Sequence, residues 1–483
     1  MEKNVKKSSK KKKHMKYWRL FRGVSIILLI TTILFILSIL KIDILGTKYL
    51  IIVLSVITLV DGALLFILNR KFKVGFKIPF LVIALILSAG YSFGIYNVSF
   101  ASSLVGRIVS SVTKEEHFGI YVLKTANYTS LKDISRGTLG IYDSKSESQE
   151  EALKQLAKKA TFKSEKKYDD FEAMMKDTID GKIIAFYIDA SLIDVIKENY
   201  EELFEQFVLL EEFTISTLEE VKKNDVDVTK EPFLVYISGI DTYGSIGTVS
   251  RSDVNILMAV NPKTQKILLV NTPRDYYVKL HSKKAMDKLT HAGIYGVEES
   301  MNTLGDLYST DVDYYFKVNF SSLIKVVDLI GGITVDSKYA FSYDGHTFQK
   351  GKNNLSGAAA LAFSRCRKEL PLGDISRGEN QEAVLKGLIE KASNPSVMTK
   401  YMSILEALSK SFVTNMSEED IYALAKMQLN ENPKWEIDIQ NATGRDASRT
   451  TYSAGKALLY VMEPDEAAVT SVKLKLNEIL EED

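Results

Sequence analysis

The chain has 483 residues, 46% hydrophobic and 25% charged, with 8 prolines, which excludes a disordered or collagen-like polymer and provides for about three domains. Its single cysteine, Cys366, excludes an internal disulfide and any multi-cysteine metal centre. The net charge of +1 hides two opposite parts: residues 1–22 hold 8 Lys and 2 Arg against one acid, Glu2, so they carry +9 and the remainder carries −8.

Behind that basic tail come three apolar runs, Gly23–Leu40, Tyr49–Leu68 and Pro79–Val98. Each approaches or meets the roughly 20 residues that a helix needs to cross a bilayer core. The first does not read as a cleaved signal peptide, because its basic region is long, no small-x-small site follows it and two further spans come next. Flanking cations give the orientation: ten in the tail, four in Asn69–Lys77 (Arg70, Lys71, Lys73, Lys77) and two in Lys41–Lys48. The positive-inside rule then places the tail and second loop in the cytoplasm. Everything after about Ser99 is expected outside the cell, on a multi-pass cell-membrane protein whose chemistry runs without cytosolic ATP. The clustered lysines beside a span are explained by anionic lipid and topology, so membrane lipid and no nucleic acid is the expected partner of the tail. Asp61, alone within the second span, is expected to be a bundle-facing or near-interface acid.

Residues 111–222 read as an extracytoplasmic accessory domain. Apolar strands at His117–Leu123, Thr138–Tyr142 and Lys182–Tyr187 alternate with helix-like segments at Ser146–Ala160, Tyr168–Thr178 and Ala190–Phe204, the pattern of a small α/β domain. No catalytic constellation is visible in it, so a spacer or docking role is expected. The polar stretch Val221–Glu231, closed by Pro232, reads as a linker.

Residues 232–483 carry the chemistry, and their motif core is 232–392. An apolar strand, Phe233–Ile237, runs into Ser238-Gly239-Ile240-Asp241-Thr242-Tyr243-Gly244. Ser250-Arg251-Ser252-Asp253 precedes the run Val254–Val260, and Thr272-Pro273-Arg274-Asp275 follows the run Ile267–Val270. Asp287-Lys288-Leu289-Thr290-His291-Ala292 is expected to open a helix. The helix-like Ser356–Phe363 ends in Ser364-Arg365-Cys366-Arg367, and Asp374, Arg377 and Gln381 lead into a helix ending near Ala392. After Tyr401 a helical tail is expected, with a strand-like piece at Trp435–Ile439 and an acidic helix over Pro464–Leu480.

Acids and arginines thus recur at strand ends, where α/β proteins gather ligand-binding groups. Two aspartates with spare oxygens can hold one Mg²⁺, and arginine forks bind phosphate bidentately at any physiological pH. A pyrophosphate meets both demands. His291 has no histidine at metal-ligand spacing, which argues against a zinc hydrolase, and Gly239–Gly244 lacks a P-loop lysine. Singly, each group reads as a surface ion pair, Arg274-Asp275 as a turn salt bridge, and Arg365 and Arg367 as last-turn helix cations. Their joint occurrence after three spans, with Phe320–Ile330 able to line a lipid groove, points to a polyprenyl-pyrophosphate ligand.

The segments GIDTYG, SRSDVNILM, NTPRDYYV and DKLTHAGIYG, the pair Arg365 and Arg367, and the late Asp374–Arg377 motif resemble the LytR-CpsA-Psr (LCP) family, enzymes that transfer glycopolymers from undecaprenyl-pyrophosphate carriers to the Gram-positive cell wall. The three-span start followed by an accessory domain is similar to the streptococcal CpsA branch, associated with capsule. The resemblance implies a mixed central sheet flanked by helices, with the polyprenyl chain in an apolar channel. It implies that Asp241 and Asp253 hold Mg²⁺, with Mn²⁺ as the alternative ion. It also implies that Arg251, Arg274, Lys288, Arg365, Arg367 and Arg377 contact the phosphates, with Gln381 hydrogen-bonding nearby. Partners implied are a polyprenyl-pyrophosphate-linked glycan, a peptidoglycan acceptor and other capsule export and assembly proteins.

One departure stands out: where many members read R-x-x-R-Q, this chain has Arg377-Gly378-Glu379-Asn380-Gln381, so the second arginine is missing. Cys366, with no histidine partner, reads as a packing residue. The expected reaction is attack by a wall-sugar hydroxyl on the phosphorus bonded to the glycan, with polyprenyl phosphate leaving. Arg274 stabilises the developing charge, and Asp275 and Asp253 are the two candidates for the proton acceptor. A competing reading is a non-catalytic regulator or scaffold of capsule synthesis that senses the lipid. A DNA-binding regulator is excluded by topology, since the only basic cytoplasmic segment lacks a helix-turn-helix pattern.

Overall fold

The computed structural model describes residues 2–43, 45–109, 113–143, 147–218, 224–240, 246–394, 397, 401–409 and 412–482. Asp241 therefore lies outside the described residues. The chain divides into two compact units, Met1–Gly106 with Glu418–Pro433, and Arg107–Ser417 with Lys434–Asp483.

The first unit is built on α1 (Glu2–Ile42), α2 (Thr47–Asn69) and α3 (Val74–Val109). All three are long and apolar enough to cross a membrane, α1 over Tyr17–Ile42. Leu28, Leu64, Leu68 and Ala84 pack between them, while Ile26, Leu59 and Ile86 point outward, as side chains facing lipid would. The Arg22 guanidinium lies 4.1 Å above the Trp18 ring, an interfacial pairing of cation and aromatic. Asp61 is buried as expected, and its partners are those the sequence left open: Thr32 donates to Oδ2 at 2.7 Å and Tyr91 to Oδ1 at 3.2 Å. A carboxylate bonded by two neighbouring helices ties the bundle together.

In the second unit, the accessory domain has β1 (Thr113–Leu123), β2 (Thr138–Tyr142), β3 (Ser164–Tyr168), β4 (Ala185–Asp189) and β5 (Phe207–Leu218), in spatial order β3-β2-β4-β1-β5. β2 runs parallel to β3 and β4, and β1 antiparallel to β4 and β5. Helices α4 (Leu131–Ile134), α5 (Glu147–Lys159), α6 (Phe171–Ile179) and α7 (Ile193–Phe204) connect them. Asp170 caps α6 by accepting from the Ala173 amide at 3.1 Å, which starts the helix where its apolar face begins. On α7, Val195, Ile196 and Phe204 are buried in the domain core. Asp194 and Glu198, four residues apart, consequently project together from one face. β3 was not foreseen because its sequence, SEKKY, is exposed at four of five positions; the edge is held by backbone pairing, not by apolar alternation.

The larger domain begins with β6 (Phe233–Ile240), β7 (Val254–Asn261), β8 (Lys266–Asn271), β9 (Tyr277–Lys279), β10 (Met286–Lys288), α8 (Leu289–Ala292), α9 (Val297–Tyr308) and β11 (Tyr314–Asn319). Then come α10 (Phe320–Leu329), β12 (Ile333–Ser337), β13 (Phe341–Tyr343), β14 (His346–Phe348), β15 (Gly351–Leu355), α11 (Gly357–Arg365), α12 (Asp374–Ala392), α13 (Tyr401–Leu408) and β16 (Phe412–Thr414). α14 (Glu418–Glu431) belongs to the first unit, where Lys426 pairs with Asp43 at 2.7 Å. The chain closes with β17 (Glu436–Asn441), the hairpin β18 (Gly444–Thr450) and β19 (Leu458–Pro464), and α15 (Glu466–Glu481).

The main sheet, β16-β11-β6-β7-β8-β17, is mixed: β11/β6 and β8/β17 are parallel and the rest antiparallel. β6 is buried along its whole length, so its sequence is a continuous apolar run without alternation. Leu234, Leu257, Leu268 and Val270 of the sheet pack with Leu304 of α9 and Val472 and Leu476 of α15. Burying such a side chain fully stabilises by roughly 1.5–3 kcal/mol. α10 and α12 cover the sheet as well. In the anticipated groove run Phe320–Ile330, Val327 and Ile330 pack in a second core with Ile333, Phe341 and Phe363, and Val326 is buried too. Asp287 and Lys288, expected to open a helix, end the short strand β10, and the helix starts at Leu289.

Candidate phosphate-binding site

The antiparallel register of β6, β7 and β8 brings the end of β6, the start of β7 and the end of β8 to one edge of the sheet. Arg251 and Asp253 enter from the segment before β7, and Arg274 and Asp275 from the segment after β8. Lys288 ends β10, Arg365 ends α11, and Arg367 follows it. Asp374, Arg377 and Gln381 fall at positions i, i+3 and i+7 of α12, hence on one face. Gly373, the residue before α12, has φ +55°, a backbone that favours glycine and turns the helix start toward the sheet edge. Gly378 lets α12 approach β8: a Cβ there would lie 2.0 Å from Asn271 Nδ2.

Carboxylates hold these cations in place. Arg274 Nη1 donates to Asp253 Oδ1 at 2.6 Å, and its Nε is 3.7 Å from Asp275 and 3.8 Å from Asp374. Lys288 Nζ is 3.3 Å from Asp275, Arg367 reaches Asp275 and Asp374 at 4.0 and 3.6 Å, and Arg377 pairs with Asp374 at 2.5 Å. Burial works against the charged form of Arg274, but Asp253, Asp275 and Asp374 outweigh it and hold the guanidinium above its ordinary range. Arg377 goes the other way: burial lowers it, Asp374 opposes, and the neighbouring Arg274 and Arg367 add to the lowering. A buried cation depressed in part by other cations is short of an anion. Three buried guanidinium nitrogens, Nε of Arg251, Arg274 and Arg377, have no hydrogen-bond partner among the described residues, although buried donors are normally satisfied.

Two cavities meet this cluster. An inner one of about 190 Å³ is lined by Gly239, Ile240, Asp253, Arg365, Arg377 and Gln381, and an outer one of about 440 Å³ by Glu198, Arg251, Arg274, Asp275, Lys288 and Arg367, among others. The Arg274–Asp253 pair joins them. All anticipated phosphate contacts therefore come together around two adjoining cavities. For the anticipated metal pair, Asp253 stands at the inner cavity, and Ile240, the neighbour of Asp241 in sequence, lines it too. Arg274 holds one Asp253 oxygen, which leaves the second as the kind of donor a hard cation takes.

A further cavity, of about 920 Å³, lies elsewhere, at the ends of β2 and β4. Glu116, Asp143, Glu151, Asp169 and Asp189 line it against Lys114, Lys283 and Lys456, the wrong sign for a phosphate. Burial pushes the Asp189 carboxyl there up to about 6, against hydrogen bonds from Ser191.

The LytR_cpsA_psr family model matches residues 210–476. The polyisoprenyl-teichoic acid–peptidoglycan teichoic acid transferase TagU of Bacillus subtilis (strain 168) is 35% identical over 273 residues, covering 55% of this chain and 84% of that protein. TagU of Enterococcus faecalis (strain ATCC 700802 / V583) is 37% identical over 216 residues, 44% of this chain and 71% of that protein. The crystal structure of B. subtilis TagU covers 53% of this chain and 99% of its own, at 35% identity and a TM-score of 0.42. The chain belongs to the LytR_cpsA_psr family.

Two features of this LytR_cpsA_psr protein were not legible in sequence. Glu198, on α7 and outside the matched residues, accepts from Arg251 Nη1 and from Lys288 Nζ, each at 2.7 Å, while Arg251 Nη2 is 3.4 Å from Asp194. The accessory domain, read as empty of site residues, thus puts a carboxylate into the cluster. Nothing in a sequence separation of 53 or 90 residues announces such a contact; the only cue is the acid pair at i, i+4 on α7. The second feature is Asn380, which is buried and donates from Nδ2 to the Phe363 carbonyl at 2.9 Å. Its amide satisfies α11 instead of standing in for an arginine. Gln381 reaches the Ser364 carbonyl at 3.4 Å while lining the inner cavity. Cys366 is fully buried in the second core, as its reading as a packing residue anticipated, and burial raises its thiol pKa.

Proposed function

We propose that this protein transfers a polyprenyl-pyrophosphate-linked glycopolymer, capsular polysaccharide in particular, to peptidoglycan. Being named as transferases of a polyisoprenyl-linked polymer to peptidoglycan, the relatives support the reaction class. The observation that carries the reading for this chain is the set of three buried guanidinium nitrogens that lack a hydrogen-bond partner among the described residues, beside two adjoining cavities, a constellation that calls for a multiply charged anion.

In this scheme Arg365, Arg377 and Gln381 take one phosphate at the inner cavity, and Arg251, Arg274, Lys288 and Arg367 take the other. Asp253, with Asp241, would hold Mg²⁺ or Mn²⁺, whose charge would neutralise the pyrophosphate. The acceptor sugar's hydroxyl oxygen bonds to the phosphorus that carries the glycan. The bridging P–O bond breaks, and polyprenyl phosphate leaves with the bridging oxygen. The hydroxyl proton goes to Asp275, which lines the outer cavity and is not committed to the ion. Arg274 lies between the two phosphates and meets the charge as it moves onto the leaving group.

The orientation is part of the proposal: tail in the cytoplasm and larger unit outside, from ten cations against two in the first two flanks. Replacing Arg274 by Ala should abolish polymer attachment in cells while the protein persists at normal level. Wall-bound polymer at the wild-type amount, measured by sugar analysis of purified wall, would sink the scheme.

A further inference from the structure

The accessory domain brings two carboxylates of α7 to the cluster, Asp194 and Glu198, and Glu198 bonds two of its cations. Its Oε1 accepts from Arg251 and its Oε2 from Lys288, both at 2.7 Å, so the two oxygens span two cations as two phosphate oxygens would. His291, fully buried between Asp287, at 2.7 Å from Nδ1, and Glu198, at 3.6 Å from Nε2, backs the carboxylate from behind. Ser453 donates to or accepts from the same Nδ1 at 2.8 Å, so two residues of the larger domain fix the imidazole. Burial opposes the charge on Glu198, but His291 and Lys288 prevail, and the carboxyl is held far below its usual range. It is therefore anionic at any physiological pH.

We propose that Glu198 is an exchangeable anion that sets the ligand selectivity of the phosphate site, filling Arg251 and Lys288 until a second phosphate group displaces it. The inference rests on the phosphate reading of the cluster and extends it to a helix outside the family match. A single phosphate can be met by the inner cations, Arg365 and Arg377, with Glu198 left in place. A pyrophosphate must also engage the outer cations, and there it competes with the carboxylate for the same donors. The contact thus makes the site discriminate by phosphate number, and it ties release of Arg251 and Lys288 to movement of α7 or of the Glu198 side chain. After transfer, when one phosphate has left with the lipid and the other with the polymer, Glu198 can return to the two cations and help clear the site.

The test is calorimetric titration of the full chain in detergent micelles with inorganic pyrophosphate and, separately, inorganic phosphate, in Mg²⁺ buffer. Wild type is compared with Glu198→Gln, which keeps the shape and removes the charge, and with Glu198→Ala; circular dichroism and melting temperature report folding. We expect Glu198→Gln to bind pyrophosphate more tightly on the order of tenfold, the scale of one charge-assisted contact no longer displaced, with phosphate affinity changed far less. In a Lys288→Gln background the gain should shrink, because one of the contested donors is gone. Unchanged or weaker pyrophosphate binding by folded Glu198→Gln, with wild type binding normally, would overturn the proposal and leave the phosphate reading standing. Absence of pyrophosphate binding by both proteins would overturn the two together.

Discussion

Arg274 is where Asp253, Asp275 and Asp374 converge, so its fork, and not only its charge, is specified. Lysine there would keep the charge but lose the planar fork, whose separate nitrogens hold Asp253 on one side and face Asp275 and Asp374 on the other. We expect Arg274→Lys to retain the fold and lose transfer by at least about 100-fold, a cost of roughly 2.7 kcal/mol, measured as product formed from a lipid-linked oligosaccharide. Asn380 gives the opposite lesson. An arginine at this position would have to leave the Phe363 carbonyl without its donor and bury a new cation beside Arg377. Asn380→Arg should therefore destabilise by about 1–3 kcal/mol, read as a lower melting temperature, with no gain in pyrophosphate affinity.

Asp189 offers a pH test at the same scale. Its folded-state value of about 6, against 3.8 for the ordinary group, means that the folded protein keeps a proton which the unfolded chain gives up. Stability is therefore lost as pH rises from about 4 to 6, and the loss, about 3 kcal/mol at 1.36 kcal/mol per pH unit, is complete above that. Asp189→Asn should raise the melting temperature at pH 7.5 and show no advantage below about pH 4. An advantage that persists at pH 3.5 would point to packing instead of titration.

At the scale of elements, the site depends on close approaches between segments distant in sequence. A Cβ on Gly293 would lie 2.6 Å from the Ser250 carbonyl and 2.8 Å from the Ser252 amide, backbone atoms on either side of Arg251. Gly293→Ala should push this segment, costing about 1–3 kcal/mol of stability and weakening pyrophosphate binding in a titration. The elements that were legible, β6, β7, β8, α11 and α12, have continuous apolar runs or clear helix starts, because both faces or a whole stripe are buried. β3 and the hairpin β18–β19 were not, since GRDASRT of β18 has no buried position and its pairing is a backbone matter. Lys288 was read on a helix because Asp287–Ala292 has helical spacing; three residues pairing with β9 override it.

For the whole molecule, the arginine and aspartate positions could be read because phosphate chemistry restricts residue type strongly, whereas the role of α7 could not, because a single glutamate carries no such signature. The three apolar helices followed from composition. Orientation is testable by fusing alkaline phosphatase after Leu218: activity is expected, while a fusion in the segment between α2 and α3 should be inactive. The reverse pattern would place the site in the cytoplasm and remove its lipid-linked substrate.

The most direct measurement incubates the purified full chain in micelles with Mg²⁺, a polyprenyl-pyrophosphate-linked oligosaccharide and peptidoglycan fragments, following products by mass spectrometry. The account predicts a glycan joined to peptidoglycan through one phosphate, with an equal amount of polyprenyl phosphate, and neither product with Arg274→Ala. Lipid bound but never turned over in the presence of a competent acceptor would contradict it.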